Sequence, residues 1–330
     1  MVTINITDYC GAAHNRDVEI LACKIAQHKD EKIVLDLKHE GWDIVENGIE
    51  QKVKNICDEL NIPYTQIEFT SSDRLCKSET FTHTINPEYA TFFSQRFGKA
   101  EIISSSKFNY GMFCARATNE RLYSFWKHKN WQYSNCGKAS MHLDTSTVTE
   151  CNSDFTEFIC EHNEKWQSLI PVLPYSDIKE IHTRNRIKNS DYWQYKIDVD
   201  ALNDNPKLLG YHNAIENYDL WKDVYSNIAI EIVVETNQTP DTFFITEKIL
   251  RPIAYGKLFL VIGSPLFEQN LKSLGFDIFD DIIDKSYDPE SSYIRVDAVF
   301  KSLGELLRNP VDIQALLPRL QANKRVLENL

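Results

Sequence analysis

Residues 231–264 read EIVVETNQTPDTFFITEKILRPIAYGKLFLVIGS, and this stretch decides the fold. It begins with an apolar, β-branched run at 231–235 that predicts a buried strand. After a polar loop, Thr246 is placed to cap a short helix, and Gly256 stands where that helix would end. A second apolar run at 258–262 predicts another buried strand. Together these elements predict a right-handed β-α-β unit of a parallel sheet.

Polar side chains cluster where such a unit binds its ligand. Ligands of these units lie beyond the carboxyl ends of the strands and at helix N-termini. Glu235 ends the first predicted strand, and Thr246, Glu247 and Lys248 begin the helix. A carboxylate can accept both hydroxyls of a ribose, and a lysine beside free helix amides neutralises phosphate charge. These residues predict a site for a nucleotide diphosphate sugar, although a surface cap with a solvated Glu–Lys pair fits the spacing equally well.

The same segment resembles the donor-binding motif of the α-1,3-fucosyltransferases, a metal-independent glycosyltransferase family with the GT-B fold. In that family a strand ending in Phe-Glu-Asn-Ser precedes a Tyr-Ile-Thr-Glu-Lys run, which is followed by a glycine and a buried Val-rich strand. The counterparts here are VVETN, FFITEK and YGKLFLVIG. This chain departs from the motif by a slightly longer loop between Glu235 and Thr246 and by Pro252 within the predicted helix. A proline in mid-helix removes a backbone hydrogen bond and bends the helix.

The resemblance implies an α/β protein with two Rossmann-like domains that face a cleft, the acceptor bound by the first and the donor by the second. It also implies transfer that inverts the anomeric centre of the sugar. Arg116 and Arg121 match the arginine positions at the start of the family's first donor-domain helix, where a guanidinium can bind the diphosphate. An exposed arginine paired with Glu120 or Asp144 is the alternative for each. Arg251 completes the predicted donor-binding residues.

Alternating strands and helices predict a first parallel, Rossmann-like sheet within an acceptor-side domain of residues 1–105. Its predicted strands and helices are 2–7, 16–28, 32–37, 44–60, 65–69, 80–85, 87–97 and 101–104. A strand at 107–115 opens the second sheet, and residues 106–310 form the predicted donor-binding domain. Residues 311–330 form a helical tail that, by resemblance, is expected to return to the first domain.

The resemblance places the catalytic base in the first domain. Asp8 and His14 lie in the loop after the first predicted strand, so they are the candidate catalytic residues. Glu40, in the loop after the second predicted strand, is the next candidate. In the alternative interpretation, Asp8 caps a turn and His14 is an exposed loop residue. The family's N-terminal base motif has no clear copy in this sequence.

No metal and no other cofactor is predicted, because the nucleotide diphosphate sugar is a substrate. Asp198-Val199-Asp200 is a DxD triplet, the metal signature of the other large glycosyltransferase fold, but such triplets are frequent by chance. The eight cysteines include no Cys-x-x-Cys pair. Together with the absence of an export signal, this spacing argues against a disulfide framework or a zinc site.

Composition limits the class of protein and its partners. The chain has 330 residues, of which 42% are hydrophobic and 25% charged, as in an ordinary globular protein of two domains or one large one. No run approaches the ~20 apolar residues of a membrane span. Because the N-terminus lacks the basic region and apolar core of a secretory signal, we expect a cytoplasmic protein. The formal net charge of −12 disfavours nucleic acid as a partner without excluding it.

The expected partners are therefore a nucleotide sugar donor and a glycan or other small acceptor. Two other functions stay open at this point. A non-catalytic nucleotide-binding or interaction module would also use a strand, a loop and a helix. A sugar transferase that acts on modified DNA would differ only in its acceptor, which a local basic patch could bind.

Overall fold

The structure, a computed structural model, describes residues 1–6, 15–37, 48–75, 77–86, 88–105, 107–114, 119–141, 222, 224–235, 238, 240–290 and 292–330. Within these ranges it contains two four-stranded sheets, and all strand pairs in them are parallel. Each sheet has its own core of buried apolar side chains. The described chain is therefore an α/β protein with parallel, Rossmann-like sheets, as the alternating pattern predicts.

The first sheet is formed by strands from the N-terminal part of the chain. They are β1 (Val2–Asn5), β2 (Ile33–Leu37), β3 (Ile67–Ser71) and β4 (Thr82–Ile85), and helices α1 (Asn15–Gln27) and α2 (Ile49–Leu60) precede β2 and β3. Ile49, Val53 and Ile56 of α2 are spaced to lie on one side of the helix and are buried in the core of this sheet. Each strand pairs with its successor in the chain, so the described sheet grows in one direction only.

The second sheet has a different strand order. Its strands are β5 (Tyr110–Cys114), β6 (Gly137–Met141), β7 (Ile230–Val234) and β8 (Leu258–Ile262), arranged in the order β6-β5-β7-β8. All residues of β5, β7 and β8 are buried, as expected for parallel strands that are covered on both faces. Because β6 lies on one side of β5 and β7 on the other, the sheet reverses its direction of growth between β5 and β7. This position is a topological switch point, beside which open α/β sheets bind ligands.

Six further helices are described, and most of them pack around the second sheet. They are α3 (Glu88–Phe97), α4 (Asn119–Asn130), α5 (Glu247–Ala254), α6 (Phe267–Ser273), α7 (Ser292–Arg308) and α8 (Ile313–Glu328). Helix α7 lies against β8 and α4, whereas α3 and α8 both lie against α5. Within the described ranges, no helix combines the length and the apolar character needed to cross a membrane.

The segment 101–104 differs from its predicted strand. The amide of Ile103 donates to the carbonyl of Tyr255 at 3.1 Å, and Lys257 Nζ donates to the carbonyl of Ile103 at 2.6 Å. The strand prediction is wrong because the C-terminal end of α5, rather than a neighbouring strand, satisfies this backbone. Phe97 and Ala100, just before the segment, already belong to the core of the second sheet.

The C-terminal residues form helix α8, as the predicted helical tail requires. The carboxylate of Asp312 accepts the amide of Gln314 at 2.9 Å and so caps the helix, which continues through Pro318. Lys324 donates to the carbonyl of Ala100. The tail therefore lies against the segment that follows α3. The predicted domain limits at 105 and 310 stay predictions.

Two glycines in left-handed conformation allow a matched test of how α5 is packed. Gly256 has a φ of 66° and Gly48 a φ of 65°. A Cβ at Gly256 would lie 2.6 Å from Cγ2 of Ile102, whereas a Cβ at Gly48 would meet no heavy atom within 4 Å. We expect Gly256→Ala to lower the free energy of unfolding by about 1–2 kcal/mol through backbone strain and by about 1–3 kcal/mol more through crowding.

Gly48→Ala is the control, since it carries the backbone strain without the crowding. Urea unfolding of the two variants measures the difference between them. Equal losses of stability would contradict the packing of Ile102 against the end of α5.

Candidate functional site

The candidate site lies at the carboxyl ends of β5 and β7, beside the switch point. Glu235 directly follows β7, and its amide donates to the carbonyl of Ile262 at 2.8 Å, which prolongs the pairing with β8. Helix α5 begins at Glu247 and leads to β8, which pairs in parallel with β7. The β-α-β unit predicted for residues 231–264 is therefore confirmed, with α5 at the end of the sheet where ligands bind.

Thr246 joins the end of β7 to the start of α5. Its Oγ1 accepts the amide of Lys248 at 3.1 Å, so Thr246 is the N-cap of the helix, as predicted. The same hydroxyl lies 2.8 Å from each carboxylate oxygen of Glu235, to which it donates. The residues of the cap are 2–4% exposed, namely Glu235, Thr246, Glu247 and Lys248. This burial excludes the alternative of a solvated surface cap.

The Lys248 ammonium is held between two buried carboxylates. Its Nζ lies 3.0 Å from Oε1 of Glu247 and 3.8 Å from Oε2 of Glu235. Removing an ion from water costs several kcal/mol, so a buried charge needs an opposite charge nearby. The two glutamates and the lysine thus form one compact ion cluster at the N-terminus of α5, where backbone amides are oriented toward an anion.

Arg121 reaches the same place from α4, the helix that follows β5. Its side chain is fully buried, and its Nε and Nη2 donate to the carbonyl oxygen of Val234 at 3.2 and 2.9 Å. The structure therefore excludes an exposed position for Arg121. The guanidinium predicted to bind a diphosphate lies on the last residue of β7, directly beside the switch point, and its role at a diphosphate stays a prediction.

Arg251 belongs to a second buried network beneath α5. Its Nη2 donates to Oε1 of Glu231 at 2.5 Å and its Nε to the hydroxyl of Tyr225 at 2.9 Å, while Tyr225 donates to the other oxygen of Glu231. Burial raises the pKa of Glu231, and the neighbouring guanidinium opposes that shift. Burial alone would lower the pKa of Arg251, but Glu231 and Tyr225 raise it above its usual range. Arg251 therefore ties the helix to β7.

The pairing of Arg251 with Glu231 and Tyr225 was not predicted from the sequence. A signal was present, because Glu231 interrupts an apolar strand and a buried carboxylate requires a compensating cation. Arg251 can be matched with Glu231 only when the helix that carries Arg251 is known to pack on β7. The sequence shows this packing only if residues 231–264 are taken as a β-α-β unit.

The loop after β3 in the first sheet contacts the segment that leads into α5. The amide of Phe243 donates to Oδ1 of Asp73 at 2.8 Å, and the amide of Arg74 donates to the carbonyl of Phe243 at 2.9 Å. On the other side, Ser264 Oγ donates to the carbonyl of Thr242 at 2.6 Å. The entry to α5 is thus held between the ends of β3 and β8.

Several predicted residues lie outside the described ranges. They are the base candidates Asp8, His14 and Glu40, the arginine Arg116, and the DxD residues Asp198 and Asp200. The roles given to these residues therefore stay predictions. Among the residues that the structure does describe, no three His, Cys, Asp or Glu side chains form a group suited to a metal ion.

Comparison of the chain with protein-family models, with curated proteins and with solved structures found no match. The class of the protein therefore follows from its own geometry. It is an α/β protein of parallel sheets, with a buried cluster of charges beside a topological switch point.

The pairing of Arg251 with Glu231 can be tested by its effect on stability. Arg251→Met leaves the buried Glu231 carboxylate without its cation, and we expect it to lower the free energy of unfolding by about 3–5 kcal/mol. The double variant Glu231→Leu/Arg251→Met replaces both charges with apolar side chains and should recover much of that loss. Denaturant unfolding measures both quantities. Purely additive losses in the double variant would contradict the pairing.

Proposed function

We propose that this protein is a GT-B glycosyltransferase that moves a sugar from a nucleotide diphosphate sugar to an acceptor, with inversion and without a metal. The observation that carries the proposal is the convergence of Arg121, Glu235 and Lys248 at the switch point of the second sheet. Open α/β sheets bind their ligands at this position. The resemblance of residues 231–264 to the donor motif of the α-1,3-fucosyltransferases supports the choice of donor.

In this proposal the diphosphate binds at the N-terminus of α5. The helix dipole and the Lys248 ammonium stabilise the negative charge of the bound and the departing diphosphate. Glu247 holds the ribose hydroxyls, and Glu235 orients the sugar or the loop that leads to Thr246. Lys248 exchanges part of its contact with the two carboxylates for contact with phosphate. Arg116 or Arg121 provides the second cation at the diphosphate.

The proposed arrangement has two domains, with the donor on the second sheet and the acceptor on the first. A base in the first domain, Asp8 or His14, takes the proton of the acceptor hydroxyl. The contact between the loop after β3 and Phe243 supports this arrangement, because it brings the carboxyl end of a first-sheet strand to the donor site. The proposed acceptor is a glycan or another small molecule, and modified DNA is the variant of this proposal that fits the acidic chain least well.

A non-catalytic nucleotide-binding module is the second candidate. It is favoured by one feature of the site, namely that protein groups already contact its cations. Arg121 binds a carbonyl, Lys248 lies beside two carboxylates, and Arg251 binds Glu231. Such a network can support a fold and a ligand without any chemistry.

Binding and hydrolysis of nucleotide sugars distinguish the two candidates. We expect one member of a panel of UDP-, GDP-, ADP- and dTDP-sugars to raise the melting temperature and to be hydrolysed slowly without acceptor. Lys248→Met should weaken donor binding by about 10- to 150-fold, because a hydrogen bond to a charged group contributes about 1.5–3 kcal/mol. Lys272→Met is the control, since that lysine is exposed.

A shift in melting temperature without hydrolysis would favour the binding module. If no member of the panel shifted the melting temperature, both candidates would be wrong.

We further expect turnover to survive exhaustive treatment with EDTA. In the proposed site, lysine, arginine and helix amides carry the charge of the diphosphate, so no divalent cation is required. Initial rates of donor hydrolysis before and after chelation, with Mn²⁺ added back, measure the dependence. Loss of turnover that Mn²⁺ restores would move the diphosphate site to Asp198 and Asp200.

A further inference from the structure

The loop after β3 is hydrogen-bonded to the entry to α5. Asp73 is buried, and its Oδ1 accepts the amides of Leu75 at 3.0 Å and of Phe243 at 2.8 Å. The amide of Arg74 returns a hydrogen bond to the carbonyl of Phe243 at 2.9 Å. Because Phe243 is separated from the N-cap Thr246 by two residues, these bonds place the backbone of Arg74 close to the start of the helix.

The side chain of Arg74 differs from that of a surface arginine with its own carboxylates. It is half-buried, yet within the described part of the chain no carboxylate pairs with it and no side-chain hydrogen bond holds it. Burial lowers the pKa of Arg74, and no charge among the residues that the structure describes opposes that shift. By contrast, Arg319 on α8 pairs with both Asp277 and Asp281. A partly desolvated guanidinium without an anion is suited to bind one that arrives with a ligand.

The charges within the site already balance one another. Among the described residues in β7 and directly after it, and along α4 and α5, three are buried carboxylates and three are buried cations, namely Glu231, Glu235, Glu247, Arg121, Lys248 and Arg251. A nucleotide diphosphate adds several negative charges to this neutral set. Binding it therefore favours a cation from outside the set, and an arginine binds phosphate oxygens in a bidentate manner.

We propose that Arg74 binds the phosphate groups of the ligand, so that the diphosphate lies between the loop of residues 72–75 and the N-terminus of α5. Asp73 is then a positioning residue, because it holds the loop that carries Arg74 against Phe243. This inference rests on the proposed function, since it assigns a further cation, from the first sheet, to the same ligand. Binding of the ligand would then link the carboxyl ends of both sheets.

Calorimetric titration of the full chain with UDP, GDP, ADP and dTDP tests the assignment. For the tightest of these probes, we expect Arg74→Gln to weaken binding by about 10- to 100-fold. Arg74→Lys keeps the charge but loses the planar fork, so its affinity should fall between those of the wild type and Arg74→Gln. The corresponding nucleoside lacks phosphate and should bind both variants as it binds the wild type. Arg325→Gln, an exposed arginine of α8, is the matched control.

The outcomes separate the two proposals. If the wild type binds a diphosphate and Arg74→Gln binds it equally well, the role of Arg74 is wrong and the proposed function stands. If the wild type binds none of the four probes, both proposals are wrong. Should Arg74→Gln fail to fold, Arg74→Lys decides, and an undiminished affinity in that variant overturns the assignment.

The positioning role of Asp73 has its own pair of variants. Asp73→Asn keeps an oxygen that can accept the amides of Leu75 and Phe243, so it should bind the diphosphate like the wild type. Asp73→Ala removes that acceptor and should weaken binding of the diphosphate by about tenfold or more while leaving the nucleoside unaffected. Wild-type affinity of Asp73→Ala for the diphosphate would overturn the positioning role.

Discussion

The hydrogen bonds of the Thr246 hydroxyl are the contacts on which the rest of the site depends. Through them the carboxylate of Glu235, at the end of β7, is joined to the amide of Lys248, in the first turn of α5. A helix of eight residues that contains Pro252 has little stability of its own. Its position therefore follows from what holds its two ends, and the cap is the contact at the end that faces the candidate site.

The opposite end of α5 is held in an equally specific way. The amides of Gly256 and Lys257 donate to the carbonyls of Ile253 and Pro252 at 3.1 and 2.9 Å, which is the pattern of a Schellman motif with its left-handed glycine. Ile103 binds the same turn through the carbonyl of Tyr255. Together with the Arg251–Glu231 pair beneath the helix, these contacts fix α5 at its start, its middle and its end. Such rigidity is what a preorganised phosphate site requires.

The electrostatics of the site constrain how a ligand can enter it. Buried carboxylates and cations are paired, so an arriving anion must compete with Glu235 and Glu247 for Lys248 or bring in a further cation. In the proposed function, the competition for Lys248 gives selectivity, because only a ligand that replaces the lost contacts of Lys248 can bind. Under the further proposal, Arg74 is the further cation, and it comes from the loop after β3 in the first sheet. Because Lys248 and Arg74 are different residues, the two contributions are separable by mutation.

Much of this architecture follows from local sequence. Apolar β-branched runs predict β7 and β8, and the residue preferences of helix ends locate Thr246 and Gly256, because these features depend on residues a few positions apart. The same reasoning failed at 101–104, where an extended apolar segment found its hydrogen-bond partners on a helix end instead of a strand. The sequence also places Pro252 within the short helix, and α5, which extends from Glu247 to Ala254, contains it.

Local sequence did not reveal the strand order β6-β5-β7-β8. It also did not reveal the hydrogen bonds of Arg121 to the carbonyl of Val234 or the contact of Asp73 with Phe243. Each of these joins residues that lie far apart in the chain. Their energies depend on loop closure and on the packing of a complete sheet, which no periodicity of a single segment encodes. Only the assembled sheet therefore defines the switch point, which in turn fixes the position of the candidate site.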